Sequence, residues 1–505
     1  MKKMNKLLAQ VLAMVMVLGL AASAFAEGTP TTYSITINNS AEGHTYEAYQ
    51  IFTGDLSGTT LSNIVWGSSI SEAGNTALGD AATKAESLKN EADAKAFAKE
   101  VAPYLVTVAG SANTVTDGKY VISGLVAGYY LVKDQDGSLT GDNDSYTEYI
   151  VKVVSNTTAT PKSSVPTVQK KVKDINNSTD DAMTGWQDSA DHDIGDSVPF
   201  QLQATLANNV SSYTTYKVVF HDTQSKGLTY NNDAKVYIDG EEKATGFNVT
   251  ATVNENGTTT LTVSCDDVKA LGAGNSSVIT VEYTATLNEN AVLGSAGNPN
   301  KVYLEYSNNP NKSESGNNET GNTPEDVVIV FTYKTIISKI TKNPNYDPQV
   351  EGSKEYIPLA GAEFTLEKYN KETNEWKAIT VVKNDEGTTF TFTGLDDGNY
   401  RLTETKTPAG YNSIDPIEFT VTAEHDIESN NPALTSLTGN VTSGEITFNP
   451  SIPEGSLSTN VVNNAGSTLP ETGGIGTTIF YVLGGMLVVC AVVLMVSKKR
   501  MSAEG

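Results

Sequence analysis

Side chains two residues apart, rather than three or four, carry the apolar pattern through most of this chain. Phe364 and Leu366 alternate with Thr365 and Glu367, and Phe419 and Val421 alternate with Glu418 and Thr420. A period of two is the signature of a strand with one buried face. The runs are short and broken by Gly, Asn and Asp-Gly turns, so the pattern predicts an all-β chain of tandem antiparallel sandwiches. One stretch departs from it. Ser71 to Leu105 is rich in Ala, Lys and Glu, with Ala81, Leu88, Ala92, Phe97 and Val101 at helical spacing. It predicts a helical insertion in the first domain.

The two ends are not β. Lys2, Lys3 and Lys6 precede an apolar run from Leu7 to Leu20, then Ala24-Phe25-Ala26. That order is a secretory signal peptide over residues 1–26. At the other end, Leu469-Pro470-Glu471-Thr472-Gly473 is followed by an uncharged apolar stretch from Ile475 to Val496 and then by Lys498-Lys499-Arg500. The apolar stretch has roughly the 20 residues a bilayer span needs, and the basic residues suit a cytoplasmic stop. The three parts in this order resemble the cell-wall sorting signal of sortase substrates. The resemblance implies that residues 469–505 form such a signal with a transmembrane tail. It also implies that a sortase cysteine attacks the Thr472-Gly473 peptide, holds the chain as an acyl-enzyme at Thr472 and passes it to an amine.

Between the ends lie roughly 440 residues, enough for about three domains. The net charge of −25 argues against nucleic acid or anionic lipid as a partner. Cys490 lies in the apolar tail, so Cys265 is alone in the rest of the chain and no internal disulfide can form after processing. For an exported protein that leaves the mechanical staple unaccounted for. The four histidines are scattered, and neither H-E-x-x-H nor G-x-S-x-G occurs. No metal site, cofactor or enzyme activity is expected from them.

Proline-bracketed residues 160–166 and an Asn/Ser/Glu/Gly-rich loop ending near Asp326 divide the interior into 27–161, 165–330 and 332–464. The second and third segments begin alike, with Val168-Gln169-Lys170-Lys171-Val172-Lys173 laid on Ile336-Ile337-Ser338-Lys339-Ile340-Thr341. Each also ends in a strand leading to asparagine, Asn308 in one and Asn463 in the other. By alternation Asn308 shares a face with Val302, Leu304 and Tyr306, Asp222 with Val218 and Phe220, Glu404 with Tyr400 and Leu402, and Asn463 with Val461. Carboxyl and carboxamide groups buried this way are costly unless they have partners or chemistry to do. A desolvated, neutral lysine beside a protonated acid can attack an asparagine carboxamide, release ammonia and leave an amide crosslink. The expected sets are Lys171, Asp222 and Asn308, and Lys339, Glu404 and Asn463, with the acids promoting the reaction. Strict alternation favours Lys170 over Lys171; the alignment with Lys339 selects Lys171, which is the choice carried forward.

With these sets in view, the chain resembles the backbone pilins of Gram-positive bacteria, the SpaA-type (SpaH/EbpB) major subunits. Tyr400-Arg401-Leu402-Thr403-Glu404-Thr405-Lys406-Thr407-Pro408-Ala409-Gly410-Tyr411 is similar to the pilin E-box. Leu359 to Phe364 resembles the opening of a Cna-B-type, prealbumin-like domain. Phe220-His221-Asp222-Thr223 resembles part of a fimbrial isopeptide-forming domain, and Gly118 to Leu125 with Gly128 to Val132 resembles the pilin N-terminal domain. The resemblance implies immunoglobulin-like β-sandwiches and a structural subunit polymerised by a class C sortase. A lysine near the end of the first domain is then the acceptor amine. Thr160-Pro161-Lys162 occupies that place, making Lys162 the expected intersubunit lysine, with Lys152 as fallback. Implied partners are the pilin and housekeeping sortases, further copies of the chain, ancillary pilins, peptidoglycan and host matrix proteins. A wall-anchored adhesin is the alternative, because the same end signals would serve it.

Overall fold

The computed structural model describes residues 31–139, 143–161, 164–179, 183–316, 318–384, 386–466 and 475–501. Regular structure is almost entirely β, arranged as three successive pairs of facing sheets. In the first pair, Tyr33–Asn38 lies between Lys119–Leu125, antiparallel, and Thr157–Ala159, parallel. The facing sheet is built on Tyr46–Ser57, Gly128–Asp134 and Glu148–Val153. Ile35, Ile37, Tyr120 and Ile122 meet Ala48, Tyr130 and Val132 between them. Every residue from Tyr46 to Phe52 is buried, on both faces of the strand. The second cover is the helical insertion: Glu72–Leu78, Ala81–Ser87 and Glu91–Val101, capped by Ser71, Asp80 and Asn90 side chains. Leu78, Ala85, Phe97 and Val101 pack there with Ile51 and Phe52.

The middle unit pairs a seven-stranded with a six-stranded sheet. Its first strand, Thr167–Val172, sits at the edge of the six-stranded sheet beside Ser197–Thr205. The facing sheet runs Val218–Gln224, Asn298–Ser307 and Asp326–Phe331 in mutual antiparallel register. In the C-terminal unit the first and last strands, Tyr333–Lys342 and Ser456–Val462, are parallel neighbours, so Lys339 lies opposite Val461. The sheet facing them contains Glu363–Asn370 and Gly398–Lys406. Phe364, Leu366, Phe419 and Val421 point into this core, as their alternation predicts.

Adjacent units are joined closely. Only Thr332 separates the strand Asp326–Phe331 from Tyr333–Lys342. Backbone hydrogen bonds cross that junction from Ile194 to Gly394 at 3.0 Å and from Ser295 to Ile452 at 3.1 Å. Gly294 and Gly455 meet there, both with positive φ, and a Cβ on Gly294 would lie 2.3 Å from the Gly455 nitrogen. Gly294→Ala should therefore lower the unfolding midpoint, through at least about 1–2 kcal/mol of left-handed strain plus the clash. Differential scanning calorimetry measures this, and an unchanged profile would count against so close a junction. Between the first two units, Tyr146 N–H donates to the Asn308 carbonyl at 2.8 Å and the Tyr306 hydroxyl to the Asp144 carbonyl at 3.0 Å.

Cys265 is buried and Cys490 exposed, and neither is in a disulfide. Ile475–Met501 is a single helix carrying the apolar tail. Among the described residues no helix is both long and apolar enough to cross a membrane.

Candidate lysine–acid–asparagine sites

In the C-terminal unit the site follows from two sheets closing on each other. The buried face of Tyr333–Lys342 runs through Tyr333, Thr335, Ile337, Lys339 and Thr341. Lys339 is fully buried, with its amine 5.4 Å from the centre of the Phe364 ring. Asn463, also fully buried, follows the last strand, and its N–H is tied to the Ile340 carbonyl at 3.1 Å. The Lys339 amine contacts the Asn463 Oδ1 directly and lies 3.1 Å from Glu404 Oε1. Asn463 Nδ2 donates to both Glu404 oxygens, at 3.0 and 3.2 Å. The Thr407 hydroxyl, three residues along, holds Glu404 Oε2 at 3.0 Å. Burial pushes the Lys339 amine below its ordinary pKa, against the opposing pull of Glu404. The nucleophile, the carboxamide and an acid touching both are thus assembled in a water-poor core.

The middle unit holds a comparable cluster with different members from those expected. Lys170 is fully buried, and its amine contacts Asp222 Oδ2 directly. The amine lies 3.1 Å from the Tyr283 hydroxyl. That hydroxyl donates to Asp222 Oδ1 at 3.0 Å and accepts from Asn300 Nδ2 at 2.8 Å. Asn300 is fully buried, and its Oδ1 has no hydrogen-bond partner among the described residues. Desolvation lowers the Lys170 pKa and raises that of Asp222, so both are driven toward their neutral forms. A neutral amine and a protonated carboxyl are the states that aminolysis of an amide requires.

Lys171 and Asn308 are corrected by this geometry. Lys171 faces away from the core, and its amine pairs with Asp188 in a partly exposed ion pair. The alignment that selected it laid Val172 on Ile340, whereas Val172 is on the inner face of its strand and Ile340 on the outer face, with Lys339 on the inner one. Shifted by one residue, Lys170 falls on Lys339. Asn308 is buried, but it sits past the strand end, against Gly321 and the first unit's Tyr146. At strand rise it is about 26 Å along the chain from Asn300, too far to reach either lysine. Asn300 carried a readable signal, because it is in phase with Val302, Leu304 and Tyr306. Tyr283, the hinge of the cluster, had none beyond its place in an alternating strand. Lys162 and the Leu469 to Gly473 motif lie outside the described residues.

Three family models match in succession along the chain. Residues 194–310 match the Gram-positive pilin backbone subunit 2, Cna-B-like domain. Residues 351–432 match the SpaA prealbumin-like fold domain, and 461–502 the LPXTG cell wall anchor motif. The trypsin-resistant surface T6 protein of Streptococcus pyogenes serotype M6 is 24% identical, over 80% of this chain and 80% of its own length. The solved structure of the T6 backbone pilin, described as modular and three-domained, superposes with a TM-score of 0.56 at 19% identity. That match covers 88% of this chain and 100% of that one. The full-length major pilin SpaD of Corynebacterium diphtheriae is also similar, at 17% identity over 86% of this chain and 98% of its own, with a TM-score of 0.48. The T6 superposition shows a shared fold, and the ordered matches to pilin and anchor models place the chain in a structural rather than catalytic family. The three matches in series identify domains of the LPXTG-anchored backbone pilins of Gram-positive bacteria, to which this chain is related.

Proposed function

We propose that this chain is the repeating subunit of a covalently polymerised surface fibre, divided into domains at 27–161, 165–330 and 332–464. A class C sortase cleaves after Thr472 and joins its carbonyl to Lys162 of another copy. A housekeeping sortase finally transfers the fibre to peptidoglycan. Ancillary pilins and host matrix proteins are the remaining partners. Within each subunit, Lys339 is joined to Asn463 and Lys170 to Asn300. In each case the amine adds to the side-chain carbonyl carbon, a new C–N bond forms and the original C–N bond breaks. The amine gives up one proton, relayed by Glu404 or Asp222 to the departing nitrogen, which leaves as ammonia.

The observation that carries this reading is the contact of Lys339 with Asn463 under Glu404, in a unit whose first and last strands are parallel neighbours. Such a crosslink supplies the covalent staple that Cys265, unpaired, cannot. The anchoring half is tested by deleting Leu469 to Gly473. The variant should be lost from the wall fraction, with no SDS-resistant multimers. Full retention of multimers in the wall would refute the sorting role of this motif.

A further inference from the structure

The junction between the middle and C-terminal units buries more carboxylates than cations. Asp191 ends the strand Ser189–Asp191 of the middle unit, and Asp396 and Asp397 form the turn before Gly398 of the C-terminal unit. One oxygen of each of these three acids lies within 4.8 Å of the others. Asp191 is 2% exposed and Asp396 0%. Among the described residues, Asp191 Oδ2, Asp396 Oδ1 and Asp397 Oδ1 all lack a hydrogen-bond partner. Two nearby cations serve these acids in part: Lys368 bridges Asp396 at 2.9 Å and Asp193 at 2.8 Å, and His425 lies 3.3 Å from Asp174 and 3.7 Å from Asp191 Oδ1.

A second observation comes from a residue that is not an acid. Tyr333, 1% exposed, directs its hydroxyl toward Asp191, and that hydroxyl meets no hydrogen-bond geometry with any of the described residues. Three buried carboxylate oxygens thus converge, with the Tyr333 hydroxyl as a donor beside them, a costly arrangement unless a cation is shared among them. The turn is also held in place. Gly398 has φ +144°, and a Cβ there would come within 2.6 Å of the Ser178 hydroxyl. Asp397 is only partly buried, leaving a route from solvent.

We propose that Asp191, Asp396 and Asp397, with the Tyr333 hydroxyl beside them, form a calcium-class divalent-cation site that clamps the middle unit to the C-terminal one. An all-oxygen donor set of several carboxylates suits a hard cation, and extracellular modules hold calcium at millimolar to submillimolar levels. The ligands come from both sides of the junction, so occupancy fixes the angle between the units.

The test is a titration of the mature chain, residue 27 to Thr472, with terbium as the probe and tyrosine excitation. Tyr333 beside the site should sensitise a saturable signal at about one equivalent, and calcium should displace it. Asp397→Asn, at a partly exposed position, should weaken calcium binding by at least about tenfold, and Asp191→Asn should do the same. Calcium should also raise the unfolding midpoint of the parent by on the order of 5 °C at a hundredfold excess over Kd, but not that of either variant. No saturable signal up to about 10 mM would overturn the proposal. So would calcium binding that both variants leave intact. Zinc binding that requires His425 and survives Asp397→Asn would replace this site with one built on Asp174, Asp191 and His425.

Discussion

The mature chain should weigh about 34 Da less than its sequence dictates, one ammonia for each of two internal amide bonds. Lys170→Ala and Lys339→Ala should each recover about 17 Da of that deficit relative to its own calculated mass, and the double variant all of it. Asn300→Ala and Asn463→Ala should behave likewise, as should Glu404→Ala, which leaves Lys339 and Asn463 in contact but without the proton relay. Lys171→Ala and Asn308→Ala should keep the full deficit, because neither side chain enters a site. Stability follows the same order. Each bond closes a loop of more than a hundred residues, for which constraint of the unfolded chain is worth about 5 kcal/mol. Loss of one bond should lower the unfolding midpoint of its own unit by on the order of 10–20 °C. A parent chain at its full calculated mass would remove the bonds from consideration altogether.

Alternation made the strands and the inward acids legible, because a strand presents its faces by simple counting. The C-terminal set could be read whole: Lys339, Glu404 and Asn463 each lie next to the strand residues that bury them. The middle set could not, and the reason is specific. The asparagine was sought at the strand end by analogy with Asn463, yet the last strand of the C-terminal unit is parallel to its first. In the middle unit the Lys170 strand lies in one sheet and the Asn300 strand in the sheet facing it. That places the reachable carboxamide opposite Gln224, well inside the strand, rather than beyond its end. Sheet-to-sheet pairing is a tertiary fact that phase does not encode. The acid cluster at the second junction was invisible for the same reason, since Asp191 and Asp396 are distant in sequence and meet only when the two units dock.

Lys162→Ala should abolish SDS-resistant ladders and leave the subunit as a wall-attached monomer. The effect is all-or-none because each added subunit needs a fresh acceptor amine, so loss of that amine limits every fibre to a single copy. Lys152→Ala should leave the ladders intact: its amine is held by the Thr59 carbonyl at 2.8 Å within a paired strand, whereas Lys162 falls between the strands Thr157–Ala159 and Thr167–Val172. Ladders persisting in Lys162→Ala would rule it out as the linkage. The proposed linkage at Lys162 would also account for where the proposed internal bonds lie. In such a fibre, tension passed from Thr472 of one copy would enter the next at Lys162, just ahead of the Lys170 strand in sequence. It would then cross the proposed Lys170–Asn300 and Lys339–Asn463 links and leave toward Thr472. Residues 31–159 would lie outside that path, and their sequence shows no equally clear lysine–acid–asparagine set. Covalent reinforcement is thus expected only where the fibre is pulled, and extending single fibres under force should release little beyond the segments between the two loops, residues 301–338.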